Sequence, residues 1–451
     1  MGRLDTALTA AIPYLCQLPE RCGGTPVSQR HSVDVIVVGA GLAGLAAAIQ
    51  LEAAGARVLL IEATGQVGGR TRSVPLGGET VDLGAEWFGR SHHRVMRLVR
   101  NFGLPIESSR LFARPARWQG ARATRIGRFP TLPVTEELAF MRALWQAKRL
   151  ARRLHPESPW NTPGAERLDC ISVADWLHRS GVRGDARRFL GAFVGALVSA
   201  PVERLSMLHL LWWVRRGGGP LSMLYTSFQY HLRDGMEVMS KRMADPLRGD
   251  IILDSPVVRI EQSSSAVEVT TSHGERHIAS AAIVAIACNA LPAIEFQPGM
   301  PPLMGELTGV SNGPGTKVAA LLPVDHRVNT RLAFGMDELA AAWRYGRRVT
   351  GFAGPPDDQL PEPILLARLA SAFQTSSDVL QDATIYRWRD HPYVPGCDIA
   401  FAPGELTRLG PCLRSSHGRV HFAGAERSSW PNNMEGALES GYHAAVAAVK
   451  H

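Results

Sequence analysis

Three glycines and a glutamate near the start of the chain have the spacing of a phosphate-binding turn. Gly39, Gly41 and Gly44 form the pattern G-x-G-x-x-G, and Glu62 follows eighteen residues after the last of these glycines. The first glycine permits a tight turn, the second lets the backbone approach a pyrophosphate, and the third lets a helix pack closely on a strand. A glutamate at this distance can accept hydrogen bonds from both hydroxyls of a ribose. The predicted chemistry is therefore the binding of a dinucleotide.

The residues around this turn predict the elements that must position it. An apolar run at residues 33 to 38 is typical of a buried parallel strand, and an alanine-rich helix follows, which Gly55 ends. The segment RVLLIE predicts a second strand that finishes at the glutamate. In such a βαβ unit the helix N-terminus presents free N–H groups to the phosphates. The complete unit is far more specific for a dinucleotide than the glycine pattern alone.

Two segments that follow, TGQVGGRTRS and GGETVDLGAEWFG, indicate which dinucleotide is bound. They resemble the corresponding segments of the flavin-containing monoamine oxidase family, and this resemblance implies FAD as the cofactor. It implies that Gly69 and Arg70 lie at the FAD, with Arg70 contacting the phosphates, and that Gly84 and Ala85 pass near the flavin ring. One departure is Thr64, where the family often has an arginine; by the resemblance, this difference implies a looser contact with the adenosine end of FAD.

The C-terminal segment GRVHFAGAERSSWPNNMEGALESGYHAA carries the more specific part of the resemblance. Gly424 allows close approach to the cofactor, and Glu426 can accept a hydrogen bond from the ribityl chain. A helix that begins near Met434 would point its positive end at the pyrimidine side of the flavin, where negative charge accumulates on reduction. Upstream, DSPVVRIEQ resembles the family's strand that places a valine, here Val257 or Val258, on the adenine.

The resemblance extends from about residue 33 to residue 450. It implies an α/β fold in which a Rossmann-type FAD-binding domain is interleaved with a mixed α+β substrate domain. The expected segments are an N-terminal extension at 1–30, an FAD-binding domain at 31–87, 236–289 and 396–451, and a substrate domain at 88–235 and 290–395.

Members of this family remove a hydride equivalent from the carbon next to an amine nitrogen, transfer it to the flavin and pass the electrons to oxygen, which gives H2O2.

Lys317 matches the lysine that holds a water against flavin N5, although a lysine opening an apolar strand is also typical of a surface position. Trp388 resembles the tryptophan that lines the same region, with core packing as the alternative. Cys397 falls where many members attach the flavin through a thioether; the alternative is a small buried residue in a noncovalent site.

Two positions depart from the family in a way that bears on the substrate. Where the simple monoamine oxidases enclose the amine between two tyrosines, this chain has Asp398 and Asn433. Aromatic faces suit a small apolar amine, whereas these residues offer hydrogen bonds and a negative charge, so we expect a polar or bulky amine. Glu86 is a second candidate to bind the charge of the substrate, and Asp398 could instead be a turn residue after Gly396. Either carboxylate could orient a cation or, with a raised pKa, take a proton.

The composition excludes several other classes of function. The formal charge of +8 comes from scattered arginines, and no nucleic-acid-binding pattern is present. The six cysteines have neither the spacing of a disulfide framework nor that of a metal site, as expected in a reducing compartment. No run of about 18 apolar residues predicts a membrane span. We expect a soluble cytoplasmic enzyme without a membrane partner, for which a homodimer is the commonest assembly.

Other functions remain compatible with the resemblance. Relatives with this fold oxidise or desaturate amides and polyenes of secondary metabolism, and the missing tyrosine pair favours them. A dehydrogenase would pass its electrons to an acceptor other than oxygen. Lys317 and the close C-terminal match favour amine oxidation over both. A chromatin-binding relative would carry a long coiled-coil insertion, and the sequence has no such heptad pattern.

Overall fold

The computed structural model describes residues 33–113, 116–119, 124–127, 132–336, 339–354 and 357–450. The N-terminal extension expected at residues 1–30 lies outside these ranges. Within them the α-helices are α1 (Leu42–Ala53), α2 (His93–Asn101), α3 (Val134–Arg153), α4 (Ala165–Asp169), α5 (Val173–Arg179), α6 (Gly184–Val198), α7 (Met207–Arg216), α8 (Pro220–Ser227), α9 (Glu237–Ala244), α10 (Pro302–Leu307), α11 (Glu362–Ala372), α12 (Glu405–Leu409) and α13 (Met434–Ala448).

The strands of the same ranges are short and form two large and several small sheets. In chain order they are β1 (Val35–Val38), β2 (Val58–Ile61), β3 (Ser73–Leu76), β4 (Glu79–Asp82), β5 (Ile106–Ser108), β6 (Ala116–Gln119), β7 (Thr124–Gly127), β8 (Tyr230–Leu232), β9 (Ile251–Ile252), β10 (Val257–Gln262), β11 (Val267–Thr271), β12 (Arg276–Ala279), β13 (Ala281–Val284), β14 (Glu295–Gln297), β15 (Asn312–Gly313), β16 (Thr316–Leu321), β17 (Leu332–Met336), β18 (Leu339–Tyr345), β19 (Arg348–Ala353), β20 (Gln381–Arg387), β21 (Asp398–Ile399) and β22 (Val420–Phe422).

A parallel sheet of five strands carries the glycine turn. Its order is β22-β13-β1-β2-β9, and each neighbouring pair is parallel. Along β1, Val35 and Val37 pack toward α1, whereas Ile36 and Val38 pack toward the second sheet, β12-β11-β10-β14. A strand covered on both faces is apolar at every position rather than at alternate ones. This is why the run at residues 33 to 38 could be recognised, although the strand begins only at Val35.

The strands of this sheet come from all three chain segments expected to form the FAD-binding domain. At two places the packing continues past the expected boundaries. β14 pairs in parallel with β10, so the four-stranded sheet extends beyond residue 289. Val95 and Met96 of α2 are buried in the same core as α1, beyond residue 87. Neither boundary is marked by a linker in the sequence, which is why the packing could not be anticipated there.

A seven-stranded sheet, ordered β20-β16-β19-β18-β17-β6-β7, and helices α3 to α8 form the other half of the described chain. The Ser206 hydroxyl caps helix α7 by accepting from the Leu208 N–H at 3.2 Å, and the helix ends at Arg216. Trp212 of α7 is fully buried. All six residues of β16 are buried, and Lys317 is the second of them. Strand β16, second in the order of this sheet, thus places a lysine in the interior.

Neither a membrane span nor a metal site is expected from the sequence. None of the helices in the described part of the chain combines the length and the apolar character needed to cross a bilayer. No group of three or more histidine, cysteine, aspartate or glutamate side chains in that part could hold a metal ion.

Candidate active site

One cavity of about 470 Å³ lies between the parallel sheet and the seven-stranded sheet. Almost all the residues singled out from the sequence line it. They are Gly39, Gly41, Glu62, Gly69, Arg70, Gly84, Ala85, Glu86, Val257, Lys317, Trp388, Cys397, Asp398, Gly424, Asn433 and Met434. Gly44 and Glu426 lie directly behind this lining, whereas Val258, the alternative to Val257, is exposed and outside it.

The glycine turn is shaped as its spacing predicts. Gly39 has φ +98°, and a Cβ atom there would lie 2.9 Å from the Ala285 carbonyl oxygen. A Cβ on Gly44 would lie only 1.8 Å from the carbonyl oxygen of Gly39, so the close packing of α1 on the turn requires glycine. Gly41 is the N-cap of α1 and has no capping side chain. The first N–H groups of the helix are therefore available to an anion in the cavity.

Glu62 is held in place at the end of β2. Its carboxylate accepts from the Ala40 N–H at 2.7 Å and from the Thr64 N–H at 3.0 Å. The Thr64 hydroxyl lies 2.9 Å from the same carboxylate and equally far from the Gln66 carbonyl, so its proton serves one of them at a time. Thr64, which departs from the family at this position, thus supports the glutamate. The fixed carboxylate fits the ribose of a dinucleotide.

Arg70 joins three parts of the site. Its Nη2 lies 2.6 Å from Glu426 Oε1, and its Nη1 donates to the Cys397 carbonyl oxygen at 2.6 Å. Glu426 is fully buried, and its Oε2 has no hydrogen-bond partner among the described residues. A Cβ on Gly424 would lie 2.7 Å from that oxygen, so only glycine leaves it accessible. Because an unpaired buried acceptor is costly, this oxygen fits a hydroxyl of the FAD ribityl chain.

The start of α13 is set by two asparagines. Asn433 is the N-cap, and its side-chain oxygen accepts from the Glu435 N–H at 2.9 Å. Its role is therefore at least partly structural, although it also lines the cavity. Asn432 has φ +57° and exchanges two hydrogen bonds with the Ile399 backbone, at 3.0 and 2.8 Å. Asn432 fixes β21 beside the helix start; sequence reasoning missed it, although asparagine is favoured at positive φ.

Lys317 and Glu86 form a buried ion pair at the wall of the cavity. Lys317 Nζ lies 2.9 Å from Glu86 Oε2 and donates to the Asp82 carbonyl oxygen at 3.0 Å. The Trp343 indole N–H donates to Glu86 Oε1 at 2.9 Å, and its ring centroid lies 5.1 Å from the ammonium. Lys317 is therefore no surface residue. Each oxygen of Glu86 thus has one partner, Lys317 or Trp343, among the described residues.

Trp388 is 2 % exposed, and its indole N–H donates to the Leu83 carbonyl oxygen at 2.8 Å. This bond ties the strand end before Gly84 to the segment that leads to Cys397. Trp388 thus combines the two roles that the sequence left open, since it packs in the core and also lines the cavity.

Cys397 and Asp398 occupy neighbouring positions on the cavity wall. The Cys397 N–H donates to the Gly313 carbonyl at 2.8 Å, and burial raises the pKa of its thiol. Burial also raises the pKa of Asp398 to about 7, against the opposing effect of Arg70. The Ser199 hydroxyl donates to Asp398 at 3.3 Å. The carboxyl group is thus poised near neutral pH, with one weak hydrogen bond from the described residues.

A second part of the cavity lining is apolar, and this part is called the chamber below. Its aromatic and aliphatic lining consists of Trp87, Leu111, Phe112, Phe193, Leu197, Trp213, Phe228, Leu332, Phe334, Trp343 and Phe352. Several of these rings pack edge to face, as Trp87 does against Phe228 with centroids 5.0 Å apart. Sequence reasoning missed this chamber. The only signal is a high local density of aromatic residues, which is equally typical of an ordinary core.

Comparisons with known proteins agree with this geometry. A family model described as flavin containing amine oxidoreductase matches residues 42–449. The flavin-containing amine oxidase of Oncorhynchus mykiss is 27% identical over 456 residues, 93% of this chain and 86% of that protein. The flavin-containing amine oxidase B of Mus musculus is 27% identical over 446 residues, 91% of this chain and 85% of that protein.

Two solved structures share the fold. Cyclohexylamine oxidase from Brevibacterium oxydans IH-35A superposes with a TM-score of 0.83 at 26% identity, over 93% of this chain and 99% of that one. Wild-type putrescine oxidase bound to putrescine superposes with a TM-score of 0.84 at 24% identity, over 93% of this chain and 100% of that one. These matches confirm the Rossmann-type α/β fold expected from the sequence, and the family model and the curated relatives support the flavin cofactor.

Proposed function

The chain belongs to the flavin-containing amine oxidoreductase family, and we propose that it oxidises the C–N bond of a bulky, largely apolar amine to an imine and passes the electrons to oxygen. The observation that carries this proposal is the combination of one half-buried carboxyl group, Asp398, with an aromatic chamber. An amine is cationic at neutral pH, so the carboxylate suits its nitrogen while the chamber suits its apolar part.

The lining favours bulk over polarity in the substrate. Of the three acids at the cavity, Glu62 accepts from backbone N–H groups and Glu86 is paired with Lys317. Asp398 has only the 3.3 Å bond from Ser199 among the described residues, besides the nearby charge of Arg70. A second cationic group on the substrate would therefore lack a partner inside the chamber. The expectation of a polar or bulky amine thus narrows to a bulky one with a single cationic nitrogen.

The residues that would hold FAD are spread along the cavity. The N-terminus of α1 would face the pyrophosphate, Glu62 the ribose, Val257 the adenine, and Glu426 the ribityl chain, while the start of α13 would face the pyrimidine side of the ring. FAD, when bound, supplies the acceptor for the hydride equivalent. Cys397 lies at the attachment position implied by the resemblance and lines the cavity, which supports a thioether to the flavin.

The protein's own contribution is binding, proton transfer and exclusion of water. Asp398 would pair with the ammonium of the substrate and accept its proton, because only the neutral amine has the lone pair that assists C–H cleavage. The apolar walls would exclude water from the reacting carbon. Lys317, oriented by Glu86, would order a water molecule at the flavin, the role that the resemblance implies.

The test is anaerobic reduction of the purified yellow protein by a panel of amines, followed by admission of air. We expect the flavin absorbance to bleach fastest with arylalkyl and cycloalkyl amines, slowly with putrescine and other diamines, and to recover rapidly in air. Bleaching by diamines alone would contradict the assignment of the chamber. Slow recovery in air would indicate a dehydrogenase, and bleaching by dithionite but by no amine would favour an amide or polyene as substrate.

A further inference from the structure

Helix α3 presents an apolar stripe to the outside of the molecule. Val134, Leu138, Met141 and Trp145 are 74%, 67%, 51% and 58% exposed. They follow one another at intervals of four, three and four residues, so they lie on one face of the helix. Single exposed apolar residues are ordinary, but a row of four large ones on one helix face indicates an interaction surface. These four residues are called the α3 stripe below.

The stripe is not the face by which α3 joins the fold. Phe140, Ala143, Ala147 and Ala151 are buried and pack in the core shared with α6 and α7. Their spacing places them on the opposite side of the helix from the α3 stripe. A surface helix needs only one apolar face to be held by its domain, so packing among the described residues does not explain the second face.

Basic side chains continue the stripe toward the C-terminus of α3. Lys148, Arg149 and Arg152 follow Trp145 by three, four and seven residues, which places them on the same face. All three are exposed and form no ion pair with an acid among the described residues. The Arg149 guanidinium lies 5.2 Å from the centroid of the Trp145 ring. The exposed face therefore combines apolar side chains with unpaired positive charge.

Negative charge on α3 is scarce and lies at its other end. Glu136 accepts from the Ala186 N–H at 3.1 Å and so faces the protein, which leaves Glu137 as the exposed acid of the helix. The whole chain also carries a formal charge of +8. A partner that matches this face must be apolar within reach of the stripe and negatively charged around it.

We propose that the α3 stripe and the basic residues beside it dock the protein on an anionic lipid surface. In this arrangement α3 lies parallel to the membrane, with the four apolar side chains among the lipid chains and the lysine and arginines at the headgroups. Tryptophan is well suited to the boundary between these two layers. The interaction is peripheral and reversible; it departs from the expectation of an enzyme without a membrane partner, and it goes beyond the proposed amine oxidation.

A second copy of the chain fits the same face less well. In a two-fold symmetric dimer each α3 stripe would meet its own equivalent. The basic residues of the two copies would then be brought together, with a single exposed glutamate per helix to offset them. Anionic headgroups supply that compensating charge without such repulsion, which is why the lipid surface is favoured.

The test is co-sedimentation of the full-length, FAD-loaded protein with vesicles. We expect binding to vesicles that contain phosphatidylglycerol in phosphatidylcholine, much weaker binding to phosphatidylcholine alone, and release by salt. The double variant Leu138→Ser/Trp145→Ser should lower the partition coefficient by about tenfold or more, as should Arg149→Gln/Arg152→Gln on the anionic vesicles. Val324→Ser is the matched control, because Val324 is 77% exposed on another part of the surface.

Retained flavin absorbance and unchanged turnover of a water-soluble amine would show that the variants are folded, since none of the substituted residues lines the cavity. The proposal is overturned if the wild-type protein stays in the supernatant with anionic vesicles. It is also overturned if sedimentation velocity without lipid shows a dimer that Leu138→Ser/Trp145→Ser dissociates, because the stripe would then be an interface between copies.

Discussion

Lys317 and Glu86 meet at 2.9 Å inside the wall of the cavity although 231 residues separate them in the chain. Both side chains are buried, at 6 % and 7 % exposure, so each charge depends on the other for compensation. Removal of one partner of a buried pair leaves an unpaired charge, which costs about 3–5 kcal/mol. We expect Glu86→Ala to lower the free energy of unfolding by about that amount, measured by urea denaturation.

The double variant Glu86→Ala/Lys317→Met provides the control for this prediction. Because it removes both charges, we expect it to lose less stability than the sum of the two single variants. Additive losses would contradict an energetic coupling between the two side chains.

Lys317 is also expected to act in the reaction with oxygen. If it orders a water molecule at the flavin, Lys317→Met should slow the reoxidation of reduced flavin by about tenfold or more. Stopped-flow mixing of the reduced protein with aerated buffer measures this rate directly. Lys241→Met is the matched control, since Lys241 is paired with Glu237 and its side chain is 56% exposed. An unchanged rate in Lys317→Met would remove the lysine from the oxidative half-reaction.

The local parts of the site could be predicted from the sequence, whereas its long-range contacts could not. Gly39 and Gly44 are specified by clashes that a Cβ would make within the turn itself, so their spacing alone reveals them. The helix start at Met434 is equally local. By contrast, the sequence gives no indication that Glu86 meets Lys317 and Trp343, because the pairing depends on how β16 and β18 lie against the other domain.

The apolar residues of the chamber likewise could not be assigned to the substrate site from the sequence. Phe193 lies on α6 and Phe334 on β17, and each fits the ordinary pattern of a buried position. Whether such a ring faces another side chain or an open cavity depends on the packing of several elements at once. The sequence therefore predicts a dinucleotide through its glycine motif and the reaction class through the family resemblance, while the shape of the substrate site needs the three-dimensional structure.

Gly44 provides a test of the dinucleotide turn. A Cβ there would lie 1.8 Å from the Gly39 carbonyl oxygen, so Gly44→Ala must push α1 away from the turn. We expect a loss of roughly 1–3 kcal/mol in the free energy of unfolding together with release of FAD on gel filtration. Gly305→Ala is the matched control, because a Cβ at Gly305 would meet no atom within 4 Å. Full retention of FAD by Gly44→Ala would contradict the role of this glycine.

Asp398 should make stability depend on pH. Its pKa is raised from 3.8 to about 7, so the folded state binds more protons than the unfolded state between these two values. The free energy of unfolding contributed by this group therefore falls as the pH rises through that window. Asp398→Asn should remove this pH dependence. The free energy of unfolding of the variant should therefore rise, relative to that of the wild type, by roughly 2–4 kcal/mol as the pH goes from 4 to 7.

The same ionisation should appear in catalysis. For an amine that stays cationic, kcat/KM of the wild type should rise with pH through about 7, as the carboxylate forms. Asp398→Asn should lack this limb and lose about tenfold or more in kcat/KM above it. Asp325→Asn, at an exposed loop position, should keep the wild-type profile. A limb that persists in Asp398→Asn would assign the ionisation to another group.

Cys397 provides a test of covalent flavin attachment. If its sulfur is bonded to the flavin, the yellow colour and one FAD mass should stay with the polypeptide after acid denaturation, as measured by absorbance and mass spectrometry. Cys397→Ala should then release all of its flavin under the same conditions while it still binds FAD in the native state. Cys288→Ala, which changes a fully buried cysteine outside the cavity lining, should retain the flavin like the wild type. Complete release of FAD from the denatured wild-type protein would instead show that Cys397 is a buried packing residue in a noncovalent site.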